Sequence, residues 1–138
     1  MRQSVSQLRE IGDSMLMADA LVDWGVVARA SRAYSESKQY LLEALRTAME
    51  TQIDPVALQA SLEIAVIEMI KGNKELALEL VIHVLQHPYT HQEVRDRAER
   101  LQAELLAQLT PQQIEAIQAQ AQAKNLESLA QEILAAGE

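Results

Sequence analysis

The chain reads as all-α: antiparallel helical hairpins stacked side by side, about eight helices in one domain. Three observations lead there. Apolar residues recur at spacings of three and four in one segment after another. Short turn and cap signals separate those segments, which makes successive helices antiparallel neighbours. Composition agrees: hydrophobic residues make up 49% of the 138, Phe is absent, and four Gly with three Pro leave little room for β-turns.

Residues 55–87 are the stretch that organises the rest. Their first half is apolar on nearly every side, interrupted by Gln59, Ser61, Glu63, Glu68 and Lys71. A helix apolar all round must be covered on more than one face, so it is the central helix of the stack. Asp54 is placed to cap it, with Pro55 at its first position. Gly72 and Asn73 turn the chain, and Leu76, Ala77, Leu80, Val81, Val84 and Leu85 bring an amphipathic helix back. His87 and Pro88 stop that helix.

Upstream, Ser4 and Gln7 fit a capping box for a short first helix ending near Ile11, with a turn at Gly12 and Asp13. Residues 15–33 form the next helix, with Met17, Leu21, Trp24 and Ala28 as its inward stripe. A break at Tyr34 and Ser35 leads to a helix burying Tyr40, Leu41, Ala44, Leu45 and Ala48. Downstream, Thr90 and Glu93 suit a second capping box, before a stripe of Val94, Ala98, Leu101, Leu105 and Leu109. Thr110 with Gln113 suits a third, opening an Ala- and Gln-rich helix. A turn at Lys124 and Asn125 precedes a closing helix carrying Leu126, Leu129, Ile133 and Leu134.

The second hairpin repeats the first 40 residues later. Trp24 and Gly25 fall on Ile64 and Ala65, Ser37 on Ala77, Leu41 on Val81 and Leu45 on Leu85. Small residues at Gly25, Ser37, Ala44, Ala65 and Ala77 let helix backbones approach closely.

This pattern resembles the tetratricopeptide repeat (TPR). Gly25 and Ala65 match that family's small residue of the first helix, Gly72 its turn glycine, Ser37 and Ala77 the small residue opening the second helix, and Ala44 the later alanine. Arg32 stands where the turn glycine is usual, Glu68 where an aromatic is usual, and Val84 replaces the second alanine, so the repeats are divergent. The segments LREIGD, YSESKQYLLEAL, GNKELALELVIHVLQHP, EVRDRAERLQAEL and LESLAQEIL also make nearly the whole chain similar to the C-terminal repeat region of large bacterial STAND-type signal-transduction ATPases and multidomain transcriptional regulators. The resemblance implies a right-handed TPR-like superhelix: residues 1–12 a helix left from a preceding repeat, 13–51 and 52–88 two repeats, and 89–138 a C-terminal helical cap. It implies a fragment of a larger protein, Met1 belonging to the expressed piece. No P-loop is present, so the chain alone is not the ATPase.

If the register holds, the first helix of each pair lines a concave surface. That places Asp19, Val22, Asp23, Val26, Arg29 and Ala30, then Gln59, Leu62, Glu63, Val66, Met69 and Ile70, on or near a groove. The strip Leu62, Val66, Met69 and Ile70 is either a peptide-binding surface or covered by the C-terminal helices, and the sequence favours covering. The Ala- and Gln-rich helix reads as the polar exterior of a cap, with a partner-helix surface as the alternative.

Other candidates have ordinary readings. His83 and His87 lie four apart, with Glu79 one turn before and His91 beyond the proline; that spacing can share a metal, but no fourth ligand is evident, and surface histidines near a helix C-terminus are the reading taken. Trp24 reads as core, Asp19 and Asp23 as a solvated acidic face. Arg95, Arg97 and Arg100 alternate with Glu93, Asp96 and Glu99, the pattern of ion pairs on a solvated helix face.

Composition bounds the rest. A net charge of -8 with dispersed basic residues argues against direct nucleic-acid binding. No apolar run reaches the roughly 18 residues of a membrane span, and no cysteine is present, which fits the cytoplasm. No catalytic site, cofactor or metal site is expected. The functional expectation is a non-enzymatic interaction or sensor scaffold binding a protein, peptide or ligand through its concave face. The alternative is a purely structural or self-association module, including a homodimer through the N-terminal helix.

Overall fold

The structure is a computed structural model that describes residues 5–88 and 90–136, with side chains from Glu10 onward except that of Ile11. It is all-helical among those residues, with seven helices: α1 (Val5–Ala30), α2 (Tyr34–Thr51), α3 (Asp54–Ile70), α4 (Lys74–Gln86), α5 (Gln92–Gln108), α6 (Pro111–Gln122) and α7 (Leu126–Ala136). The count falls one short of the expectation because α1 runs straight through Gly12 and Asp13. Gly12 is not among the positive-φ residues. One interior glycine costs a helix about 1 kcal/mol, less than ending it and nucleating another. The capping box expected at Ser4 and Gln7 lies outside the described side chains.

Helices α1 and α2 pair, then α2 with α3, α3 with α4 and α4 with α5. Helices α1, α3 and α5 also touch in sequence, forming one layer. On the other side, α6 packs on α4 rather than back along α5, and α7 bridges α2 and α4. The central helix is α3, with α1, α2, α4 and α5 around it. From Val56 to Glu68 every residue is buried except Gln59 and Val66, which are half-buried, as an all-round apolar sequence requires.

The 40-residue repeat is visible in the backbone. Between α1 and α2, Ser31 N–H donates to Val27 O, Arg32 to Arg29 O, Ala33 to Ala28 O and Ser37 to Ala33 O. Between α3 and α4, Lys71 donates to Ile67 O, Gly72 to Met69 O, Asn73 to Glu68 O and Ala77 to Asn73 O, each 40 residues on. Both are Schellman-type endings with a left-handed residue, Arg32 at φ 64° and Gly72 at φ 89°. The α2–α3 turn uses the same device, Gln52 at φ 58° with Ile53 N–H on Ala48 O. At the contact between α1 and α2, Gly25 lies against Leu41, and Ser37 Oγ donates to the Gly25 carbonyl at 2.5 Å.

Caps differ from expectation in two places. Asp54 and Pro55 both lie inside α3, Ile53 is the N-cap residue, and no side chain caps it. Thr90 donates its hydroxyl to Val84 O at 2.7 Å instead of capping α5, whose N-cap residue is His91. The capping box of α6 is present: Gln113 N–H donates to Thr110 Oγ1 at 3.1 Å, and Thr110 N–H to Gln113 Oε1 at 2.9 Å. Asn125 Oδ1 accepts from Ser128 N–H at 2.8 Å to open α7. No helix of the described residues is long and apolar enough to cross a membrane.

Candidate functional site

The layer of α1, α3 and α5 is where the candidate surface residues fall. Asp19 and Asp23 are exposed on α1, as is Ala30, while Val26 and Arg29 are half-buried and Val22 is buried. On α3, Gln59, Val66 and Met69 are half-buried, Ile70 is exposed, and Leu62 and Glu63 are buried. Residues 59, 66 and 70 recur at helical spacing, so they are one stripe, the least covered line of α3. Of the helices in the C-terminal segment 89–138, α5 packs on α3, whereas α6 and α7 pack on α4 and α2 in the opposite layer. Leu62 is buried, 1% exposed, inside the packed layer.

Glu63 is the electrostatic centre of this layer. Arg29 of α1 donates through Nη1 to Glu63 Oε2, and Arg97 of α5 donates through Nη2 to Oε1. A carboxylate in a helix covered on all sides must be ion-paired, and two guanidiniums from the flanking helices satisfy both oxygens. The Arg97 side chain keeps 40% of its surface in solvent and Arg29 keeps 20%. Two guanidiniums against one carboxylate leave this cluster with a net positive charge.

Two further carboxylates are buried on the other side. Glu68 Oε1 lies 2.7 Å from Lys38 Nζ, and Asn73 Nδ2 donates to Oε2 at 2.9 Å. Burial alone would raise the Glu68 carboxyl, but the bonds from Lys38 and Asn73 and the charges of Lys38 and Lys71 outweigh it and hold it below the usual value. Glu79 Oε1 lies 3.1 Å from Lys124 Nζ, which also meets Glu132 Oε2 at 3.0 Å, and the two carboxylates hold Lys124 above the usual ammonium value.

The histidines do not form a site. His83, expected on the surface, is 6% exposed, because α6 and α7 close over α4. Its Nε2 has no hydrogen-bond partner among the described residues. Burial pushes its pKa down, Lys124 adds to this, and Glu79 opposes it. His87 Nε2 instead faces Asp54 Oδ2 at 3.8 Å, and His91 is exposed. Among the described residues no group of His, Asp and Glu is arranged to hold a metal.

Two other expectations are corrected. Trp24 and Met17 are each 52% exposed rather than core. The inward stripe of α1 is Ala18, Leu21, Val22, Gly25 and Ala28, rotated toward the small residues because α2 approaches over Gly25. Trp24 packs edge-on against Tyr40 of α2, ring centroids 5.9 Å apart, and the two border a groove of about 430 Å³ with Val27 and Ser31. Nor is the basic series of α5 simply solvated: Arg95 donates to Leu85 O at 3.0 Å and His87 O at 3.3 Å, capping the end of α4, while Arg97 holds Glu63.

The pairings of Glu63, Glu68 and Glu79 are not legible in the sequence. Their signal is a carboxylate inside an otherwise apolar stripe, which fixes burial but not the partner. A cavity of about 720 Å³ opens between α2, the start of α3 and α7, and carries Glu50, Asp54, Glu127 and His87 on its wall. No protein-family model, curated protein or solved structure matches the chain.

Proposed function

We propose that the chain is a non-enzymatic, TPR-like interaction scaffold that binds a protein or peptide along the face shared by α1, α3 and α5. It is of the kind found in the C-terminal repeat regions of large bacterial STAND-type signalling proteins, and works in the cytoplasm. The supporting observation is the stripe of α3 from Val66 through Met69 to Ile70, which opens toward the helix end until Ile70 is 46% exposed. Helices α6 and α7 pack elsewhere, and the partly exposed Arg97 side chain of α5 stands in the same layer. Such a surface suits a helix or extended segment with apolar side chains and an acidic neighbour. Support for the TPR-like reading is the turn whose hydrogen bonds recur after 40 residues.

The test is selection of displayed peptides against the immobilised chain, followed by affinity measurement on Ile70→Glu combined with Met69→Ser. Both residues are at least partly open, so the circular-dichroism spectrum is expected to hold while affinity falls at least about tenfold, roughly 1.4 kcal/mol. Equal affinities for the wild type and the double variant overturn the groove. A second reading, a structural or self-association module with no ligand of its own, is favoured by the apolar outer face of α1.

A further inference from the structure

Of the seven large apolar side chains that stand exposed among the described residues, five lie on α1: Met15, Leu16, Met17, Trp24 and Val27. Leu16 is 71% and Val27 64% exposed, and with Ala20 and Trp24 they follow helical spacing along one outward face. Solvation is the ordinary fate of a scattered apolar residue, but not of a continuous face.

The internal repeat shows what this face is built for. Forty residues on, Leu16, Met17, Ala20, Trp24 and Val27 correspond to Val56, Ala57, Ala60, Ile64 and Ile67. All five are buried in α3, at 4%, 3%, 0%, 0% and 0% exposure, in the helix that α1 and α2 flank. The positions that are buried on α3 are thus exposed on α1, except for half-buried Ala20.

We propose that this face is a dimer interface whose occupant is a second copy of the chain, with α1 packed antiparallel on its counterpart across a two-fold axis near Ala20. A two-fold interface joins a patch to itself, so the patch must be self-complementary. This one is. Leu16 projects at one end, and the groove bordered by Trp24, Val27 and Tyr40 lies at the other. Eight residues, about 12 Å of helix, separate Leu16 from Trp24, and Ala20 halfway between is small enough for two helices to approach. The axis at Ala20 sets Leu16 of each copy against Trp24 of the other, at the rim of that groove. Antiparallel contact is also what a short connection gives α2 and α3. The interface stands or falls apart from the groove on α3, since it uses the opposite flank of α1.

Sedimentation velocity from about 1 to about 500 µM tests it, with the fluorescence of Trp24, the only tryptophan, recorded over the same range. The mass is expected to climb from 15.4 kDa toward twice that value, with Trp24 emission shifting to the blue as the rings leave water. Added salt is expected to tighten the dimer, because each copy carries a net charge of -8. Leu16→Glu with Val27→Glu replaces two exposed side chains, so the variant keeps its helical spectrum and remains a monomer throughout. A wild type that stays at the monomer mass to the top of the range overturns the proposal, as does a folded double variant that still dimerises.

Discussion

Gly25 and Arg32 lie seven residues apart, yet their local geometry predicts opposite responses to substitution. A Cβ at Gly25 would lie 2.7 Å from Leu41 Cγ and Cδ2, and Leu41 is fully buried with nowhere to retreat. Gly25→Ala is therefore expected to destabilise by about 1–3 kcal/mol, the usual consequence of overpacking. Arg32 holds a left-handed backbone at φ 64° where its 40-residue counterpart is Gly72. Arg32→Gly relieves a strain of about 1–2 kcal/mol against a glycine entropy cost of roughly 0.5–1 kcal/mol, so a gain of several tenths of a kcal/mol is expected. Urea titrations of both variants check the pair; stabilisation by Gly25→Ala would mean that α1 and α2 can separate without loss. The same contrast marks how far sequence reaches at this scale. That position 25 must be small follows from its alignment with Ala65. That Trp24 beside it points outward does not, because large apolar residues at helical spacing favour a stripe through Met17 and Trp24, whereas close helix approach selects the stripe of Ala18 and Gly25.

Elements are read from sequence where propensity and packing agree, and misread where they compete. The central hairpin of α3 and α4, the stop at His87 and Pro88, and the capping box of Thr110 and Gln113 each have a local cause, and each is present. Gly12 with Asp13 is a local turn signal that loses to helix continuity in α1. A testable consequence follows from the open space around Gly12, whose Cβ position meets nothing within 4 Å. Gly12→Ala is expected to stabilise the protein by about 0.5–1 kcal/mol, the difference in helix propensity, with a small rise in helical ellipticity. A loss of stability instead would place a turn at Gly12, as the sequence pattern suggests. The closing elements are harder to read because α6 and α7 have few large apolar residues to specify a partner. Short connections suggest α6 returning along α5, but Ile117 and Ala121 are buried in a helix that packs on α4, and Leu129, Ala130 and Ile133 bury α7 across α2 and α4. This placement puts α6 and α7 on the side away from the layer of α1, α3 and α5.

For the molecule as a whole, covering α4 has a pH consequence. His83 is closed in with an unpartnered Nε2, and burial together with Lys124 lowers its pKa from the ordinary 6.5 despite Glu79. The unfolded chain then binds the proton more tightly than the folded chain does, so stability is intact above about pH 6.5 and falls as the pH drops below it. That loss stops growing once the folded imidazole also takes up its proton. Glu68 acts in a lower window. Its pKa is lowered from 4.5 by Lys38 and Asn73, so the stability it contributes is complete above about pH 4.5 and disappears as the pH falls through the folded value. Two steps of acid destabilisation are therefore expected in the free energy of unfolding, one beginning near 6.5 and the other near 4.5. His83→Leu, which places an apolar side chain in a buried position, should flatten the first step and leave the second. Urea unfolding of wild type and variant at intervals from pH 8 to about pH 2 separates them; an unchanged upper step in His83→Leu would assign it to another group and remove His83 as the cause.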